Sequence, residues 1–166
     1  MTEHFVADFN DQMIKRGIRM VCAESVTAGL LASTIGSVQG ASEVLIGSIV
    51  TYSRNLKTAV LDVDPRVIDQ HTAESQQTTN EMAYGLTRLY PGAEVFVAVT
   101  GVASEPVGPY EIDKEVGQVY LSIYYKNTMH EHGEILRAGN NTRNEIRERA
   151  VELILEKILV LTADAL

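Results

Sequence analysis

Residues 18–29 read Ile18-Arg19-Met20-Val21-Cys22-Ala23-Glu24-Ser25-Val26-Thr27-Ala28-Gly29. Ile18 to Cys22 has the length and apolar character of a short buried strand. A helix is expected to start near Thr27, with Leu30, Leu31 and Ile35 facing inward. A buried strand that runs through a polar turn into a helix is the elementary joint of an α/β protein. It sets Ser25 beside backbone amides at the positive end of a helix dipole. A serine there can stabilise an alkoxide or help hold an anion. Equally, Ser25 or Thr27 can be a plain helix cap.

Working outward from this joint, residues 3–15 carry Phe5, Val6, Phe9, Met13 and Ile14 at helical spacing, and Gly17 ends that helix. After the joint, residues 36–42 read as a loop and the β-branched run 44–52 as a strand. A short helix is expected over 55–61, and Asp64 before Pro65 caps the next. Residues 75–90 are helical, with Met82, Ala83, Leu86 and Tyr90 on one face, and Pro91-Gly92 stops them. Residues 95–99 form a strand too apolar for a sheet edge. Residues 100–114 read as a loop, and 116–125 and 134–138 as paired strands. Thr142-Arg143-Asn144-Glu145 has the form of a capping box. The helix it opens places Ile146, Ala150, Ile154, Ile158 and Leu161 along one stripe. The order of elements predicts a single α/β domain over 1–166, a three-layer α/β/α sandwich with a mixed sheet. Its site is expected in loops at strand ends.

Composition narrows the function. A chain of 166 residues with 45% apolar and 22% charged residues suits one globular core. The formal net charge of -8 argues against a nucleic-acid partner, since phosphate backbones attract positive surfaces. The sequence holds no apolar run of the roughly 18 residues needed to cross a membrane. It begins without a secretory signal, and its one cysteine, Cys22, leaves no internal disulfide. A cytoplasmic, reduced protein without membrane attachment is expected. Asn140-Asn141-Thr142 spells a glycosylation acceptor but lacks that secretory context. His130-x-His132 and Asp62-Val63-Asp64 are too sparse for a metal shell, so no metal or cofactor is expected. The mixed charges from Arg143 to Arg149 read as a solvated helix face.

A second segment could carry chemistry: Thr51-Tyr52-Ser53-Arg54-Asn55-Leu56-Lys57. Tyr52 sits at a strand end and Lys57 follows one turn later. A lysine desolvated beside a serine can be neutral and act as a base. The plain alternative is a surface lysine and a strand-end tyrosine.

Taken in order, these segments resemble the C-terminal domain of the CinA family, the nicotinamide-nucleotide amidases. That family has A-E-S-C-T-G-G where this chain has Ala23 to Gly29. Its G-A-S loop is matched by Gly40-Ala41-Ser42, and its T-Y-S-N-x-x-K by Thr51 to Lys57. Its L-G-V, M-A-x-G and T-G-I-A-G-P segments are similar to Leu61-Asp62-Val63, Met82-Ala83-Tyr84-Gly85 and Thr100-Gly101-Val102-Ala103. Its K-P-V-G-x-V is similar to Lys114-Glu115-Val116-Gly117-Gln118-Val119.

The resemblance implies a serine amidase that converts the carboxamide of nicotinamide mononucleotide to the acid and ammonia. By analogy Ser25 is the nucleophile, and Lys57 and Tyr52 move protons, so the three should converge in one pocket. Thr27, Gly29, Ser42, Thr100 and Gly101 match substrate-binding positions. The partner implied is a small molecule of the pyridine-nucleotide type, and the chain is expected to form a homo-oligomer. The departures fall on the same segments. Val26 and Ala28 replace Cys and Gly, and a methyl at 28 is expected to intrude on the site. Arg54 replaces Asn, and Ser104-Glu105 stand where the family has Gly-Pro. The family's A-V-S-E becomes Thr72-Ala73-Glu74-Ser75, and its G-D-R becomes Gly139-Asn140-Asn141 with Arg143 beyond. The alternative is therefore a diverged paralogue with little or no amidase activity, serving as a small-ligand-binding or assembly module.

Overall fold

A computed structural model of the chain describes residues 1–107, 113–137, 139–140 and 142–165. Strands β1 (Met20–Glu24), β2 (Leu45–Val50), β3 (Val95–Gly101), β4 (Gln118–Tyr125) and β5 (Thr128–Ile135) form one sheet in the order β2-β1-β3-β4-β5. β1 pairs in parallel with β2 and β3, whereas β3-β4 and β4-β5 are antiparallel. The sheet is mixed, as expected.

Residue alternation along the central strands assigns the two helical layers. Met20 and Cys22 of β1, with Val95, Val97 and Val99 of β3, face a core shared with α1 (Glu3–Lys15), α2 (Leu30–Gly36) and α7 (Arg143–Leu161). Val21, Ala23, Phe96 and Ala98 face the other way, against α4 (Arg54–Leu61), α5 (Pro65–His71) and α6 (Gln76–Leu89). Every residue of β1 is buried, because a strand covered on both faces has no solvent side. The stripe Ile146, Ala150, Ile154 and Ile158 lies in the first core, and α7 opens with the expected capping box at Thr142 and Glu145. On the second face α6 presses close to the end of α4. A methyl at Gly85 would stand 2.2 Å from the Leu61 carbonyl oxygen, so the backbone approach itself demands glycine there.

Three boundaries differ from the sequence expectation. α2 starts at Leu30 rather than near Thr27, because Ala28 (φ 49°) and Gly29 (φ 90°) hold a left-handed turn after Ser25. The loop expected over 36–42 already contains the start of a one-turn helix, α3 (Ala41–Val44). The last strand is Thr128–Ile135, not 134–138. It follows β4 through a two-residue turn in which Lys126 and Asn127 have φ of 47° and 61°, the geometry that suits a tight hairpin. β5 is a polar edge strand, so it lacks the apolar run that marks buried strands. Ala138 and residues 108–112 of the expected loop lie outside the described residues, as does Asn141.

Candidate functional site

The sheet has a switch point at β1. From β1 the chain turns to β2 by way of α2, on one face. From β2 it crosses to β3, on the other side of β1, by way of α4, α5 and α6 on the opposite face. Such a divergence leaves a crevice at the carboxyl end of the central strand. A cleft of about 380 Å³ opens there, lined by Ser25, Tyr52, Glu74, Gly101, Glu105 and Arg143 among others.

Glu24 builds the turn that presents Ser25. Its buried carboxylate accepts from the amides of Gly29 (2.8 Å) and Leu31 (3.1 Å) through Oε2. Oε1 accepts from the amide of Ala32 (3.0 Å) and the Ser48 hydroxyl (2.8 Å). One side chain thus holds the start of α2 and the middle of β2. The backbone adds two ties on either side of β1: Ser25 N–H to the Val99 carbonyl (3.1 Å) and Thr51 N–H to the Glu24 carbonyl (2.9 Å).

Lys57 arrives from α4, whose cap Ser53 accepts from the Leu56 amide at 3.3 Å. The lysine is only 1% exposed. Its Nζ lies 2.9 Å from Ser25 Oγ and donates to the Thr51 carbonyl at 2.6 Å. Burial pulls its pKa down from 10.5 to about 8, and the negative charge of Glu74 resists that shift. A neutral amine therefore lies within thermal reach near neutral pH, with its lone pair free to take the Ser25 proton while Thr51 receives an N–H. Val26 follows Ser25 on the cleft wall, and its amide donates to no protein acceptor among the described residues.

Tyr52 shares the cleft but is bound differently from Ser25 and Lys57. It is 54% exposed, and its hydroxyl accepts from Arg143 Nη2. Arg143 Nη1 also donates to Ser104 Oγ at 2.8 Å. The first residue of α7 thus ties the loop after β3 to the end of β2, across the cleft mouth.

Of the residues matched to substrate-binding positions, Gly101 lines the cleft, where a methyl would meet the Gln118 carbonyl at 2.5 Å. Thr100 lies behind it, fully buried, its hydroxyl 2.7 Å from that of Thr79. Thr27 is also fully buried, and its carbonyl accepts from Arg147 Nη2 at 2.8 Å. Gly29 has its amide committed to Glu24. Ser42 is not brought to the cleft: it sits exposed on α3, which enters β2 at the end opposite Val50. Ala28 is exposed and does not line the cleft, so its methyl does not intrude on it. The reading of Arg143 to Arg149 as a solvated face holds for Arg143, which is exposed though it also borders the cleft, and fails at Arg147, which is half-buried and braces the Thr27 turn. The displaced G-D-R pattern was the signal that could have found Arg143. The four bonds of Glu24 had no sequence signal beyond its place before Ser25.

Cys22 is buried, its thiol pKa raised first by burial and then by Glu24. Among the described residues, no group of three or more His, Cys, Asp or Glu side chains could hold a metal ion, and no helix is long and apolar enough to cross a membrane.

The crossover pattern and the Ser25–Lys57 pair at its switch point define an α/β protein with a candidate nucleophile and base. The chain belongs to the CinA C-terminal domain family, whose sequence model matches residues 2–161. It is 37% identical over 139 residues to a CinA-like protein of Thermotoga maritima, covering 84% of this chain and 32% of that protein. It is 33% identical over 149 residues to the MG115 homolog of Mycoplasma pneumoniae, covering 89% of this chain and 90% of that protein. The chain thus spans about a third of the length of the long CinA-like relatives. In structure it is similar to the competence/damage inducible protein CihA of Agrobacterium tumefaciens, with a TM-score of 0.85 at 31% identity over 96% of this chain and 94% of that one. The competence damage-inducible protein A of Klebsiella pneumoniae gives a TM-score of 0.88 at 25% identity over 98% and 97%.

Proposed function

We propose that the chain is a serine amidohydrolase acting on the carboxamide of a pyridine nucleotide such as nicotinamide mononucleotide. The observation that carries this reading is the buried amine of Lys57 at 2.9 Å from Ser25 Oγ, at the edge of an open cleft. Neutral Lys57 takes the Ser25 proton as Oγ bonds to the amide carbon. The carbonyl oxygen becomes an oxyanion beside the turn amide of Val26. When the carbon–nitrogen bond breaks, the proton on Lys57 passes to the leaving nitrogen, and ammonia departs. Water then gives a proton to Lys57 and its hydroxide to the acyl carbon, releasing the carboxylate, and Ser25 regains its proton. Tyr52, steadied by Arg143, stands at the mouth as a second group able to relay a proton. The implied cytoplasmic location and homo-oligomeric state belong to the same proposal.

Ammonia release from nicotinamide mononucleotide by the purified chain tests the reading. Turnover is expected, and Ser25→Ala should lower it by about 10³-fold or more, because nucleophile and base act as a unit. No ammonia from this or related amides, or full activity in Ser25→Ala, would sink it.

One observation favours the second reading, a paralogue that binds nucleotides poorly. Glu105 lies on the cleft rim in the loop after β3, where it would repel a substrate phosphate. The expected result is weak binding of nicotinamide mononucleotide, tightened roughly 3–10-fold by Glu105→Gln, the range for a partly screened charge. Calorimetric titration of both proteins in one buffer checks this. Ser104 is better left in place, since its hydroxyl holds Arg143.

A further inference from the structure

The sheet ends in two edges of opposite character. β5 carries Glu131 and Glu134, and charge on an edge keeps other strands off. β2, the other edge, has no such guard: residues 44–52 hold no charged side chain and no proline. The Thr51 N–H donates to the Glu24 carbonyl at 2.9 Å, so alternation turns the backbone groups of Ile49 and Thr51 towards β1. Those of Ser48 and Val50 point the other way, out of the sheet. Apolar side chains flank this row. Ile46 and Val50 of β2 are 38% and 42% exposed. On α4, Lys57 and Leu61 point inward, while Arg54, Asn55 and Thr58 line a groove against α5. At about 100° per residue, Leu56 and Val60 take the side turned away from α5, and they too are exposed.

We propose that the β2 edge is the docking surface for a second copy of this chain, joined antiparallel about a two-fold axis at Ile49. The inference rests on the homo-oligomeric part of the reading above, not on its amidase chemistry. In this pairing Ser48 of each copy exchanges N–H and C=O bonds with Val50 of the other, so the donors and acceptors of one edge match their own image. Two five-stranded sheets become one continuous sheet. Charge selects the same partner and the same direction. Copies with a net charge of -8 repel one another, and a strip without charge is where they meet at least cost. The strip ends in opposite charges. Glu43 precedes it, exposed and with no side-chain partner among the described residues, and Arg54 follows it. An antiparallel copy sets each Glu43 near the level of the other's Arg54, which is otherwise held by an exposed pairing with Asp69. A parallel copy would set like charge against like. The same register carries the partner's Ile46 to the level of Tyr52, so the second copy borders the cleft mouth.

Sedimentation of the purified chain tests the surface. A mass of twice 18.2 kDa, or an even multiple of it, is expected. Val50→Glu sets a carboxylate on the edge of each copy and should raise the dissociation constant about 100-fold, the scale for like charges brought together at an interface. Gly47→Glu should do the same, and a Cβ there meets nothing within 4 Å in its own chain, so the protomer keeps its fold. Val160→Glu adds the same charge on α7, at a side chain 77% exposed, and should leave the assembly intact. Ile49→Cys supplies a geometric check. Across the axis the two Cα atoms lie about 4.5 Å apart, within disulfide range, so mild oxidation should give a covalent dimer. The parent, whose one thiol is the buried Cys22, should give none. Circular dichroism confirms that each variant is folded. A single-chain mass for the parent overturns the proposal together with the oligomeric state. An assembly that survives both Val50→Glu and Gly47→Glu, one that also dissociates in Val160→Glu, or a failure of Ile49→Cys to cross-link overturns the surface alone. Ammonia release from nicotinamide mononucleotide is scored separately, and its absence counts against the amidase reading only.

Discussion

Lys57→Met is expected to abolish amide hydrolysis while raising the stability of the fold at neutral pH. In the folded protein the lysine pKa falls from 10.5 to about 8, so between those values the unfolded chain binds more protons than the native one. Stability of the unaltered protein therefore rises with pH across that window. At 1.36 kcal/mol per unit the Lys57 contribution is on the order of 3 kcal/mol. It is absent as a gain at pH 7 and fully present above pH 10.5. The Met variant lacks this term. Its advantage over the parent, measured by urea denaturation at pH 7, 8, 9 and 10, should shrink steadily along the series. The Thr51 carbonyl loses a donor in the variant, which lowers its curve by a similar amount at every pH and leaves the slope difference intact. Parallel curves would show that Lys57 is not held in a desolvating site, and activity surviving the substitution would assign the base to another group.

Glu24→Ala is expected to cost about 3–5 kcal/mol, the scale for removing one partner from a buried charged network. Three backbone amides and the Ser48 hydroxyl lose their acceptor at once. Glu24→Gln should cost less, since one amide oxygen still accepts. For a chain of this size such losses lower the melting temperature by roughly 10 °C. Calorimetric melting of the three proteins, with circular dichroism to confirm folding, checks the order. A change below about 1 kcal/mol in Glu24→Ala would mean that solvent replaces the carboxylate at little cost. Activity should fall in both variants even where the fold persists, because the Ser25 turn hangs on the same carboxylate.

The parts of this fold that were legible in the sequence are those written in apolar periodicity. β1, β3 and the stripe of α7 bury one residue type in a fixed rhythm, and their pattern survives any loop geometry. β5 has no such rhythm, being an edge strand, and it begins well before the expected 134–138. Its residues Thr128 to Ile135 include two histidines and two glutamates. The start of α2 departs from its expected place near Thr27 for a different reason. The turn at Ala28 depends on a left-handed backbone that glycine usually advertises and alanine conceals.

At the site, Ser25 and Lys57 could be paired beforehand only through an ordered set of motifs, since 32 residues of chain separate them. Residue spacing alone left a cap and a surface lysine as fair alternatives. Ser42 matched in order, yet it sits on α3, which leads into β2 at the end far from Ser25. The displaced G-D-R pattern points towards Arg143, but its partners across the cleft, Tyr52 and Ser104, are recorded in no local pattern.

The brace supplied by α7 has a consequence for synthesis on the ribosome. Arg143 spans the cleft mouth and Arg147 secures Thr27, but both belong to the last helix described. Residues 20–101 can be translated and paired into the parallel half of the sheet well before either arginine exists. Until α7 emerges and docks, the nucleophile turn lacks its outer support and the core on that face lies open to solvent. The nascent chain therefore carries an exposed apolar sheet before it carries a finished cleft, and competence comes with the docking of α7 rather than with the making of the Ser25–Lys57 pair.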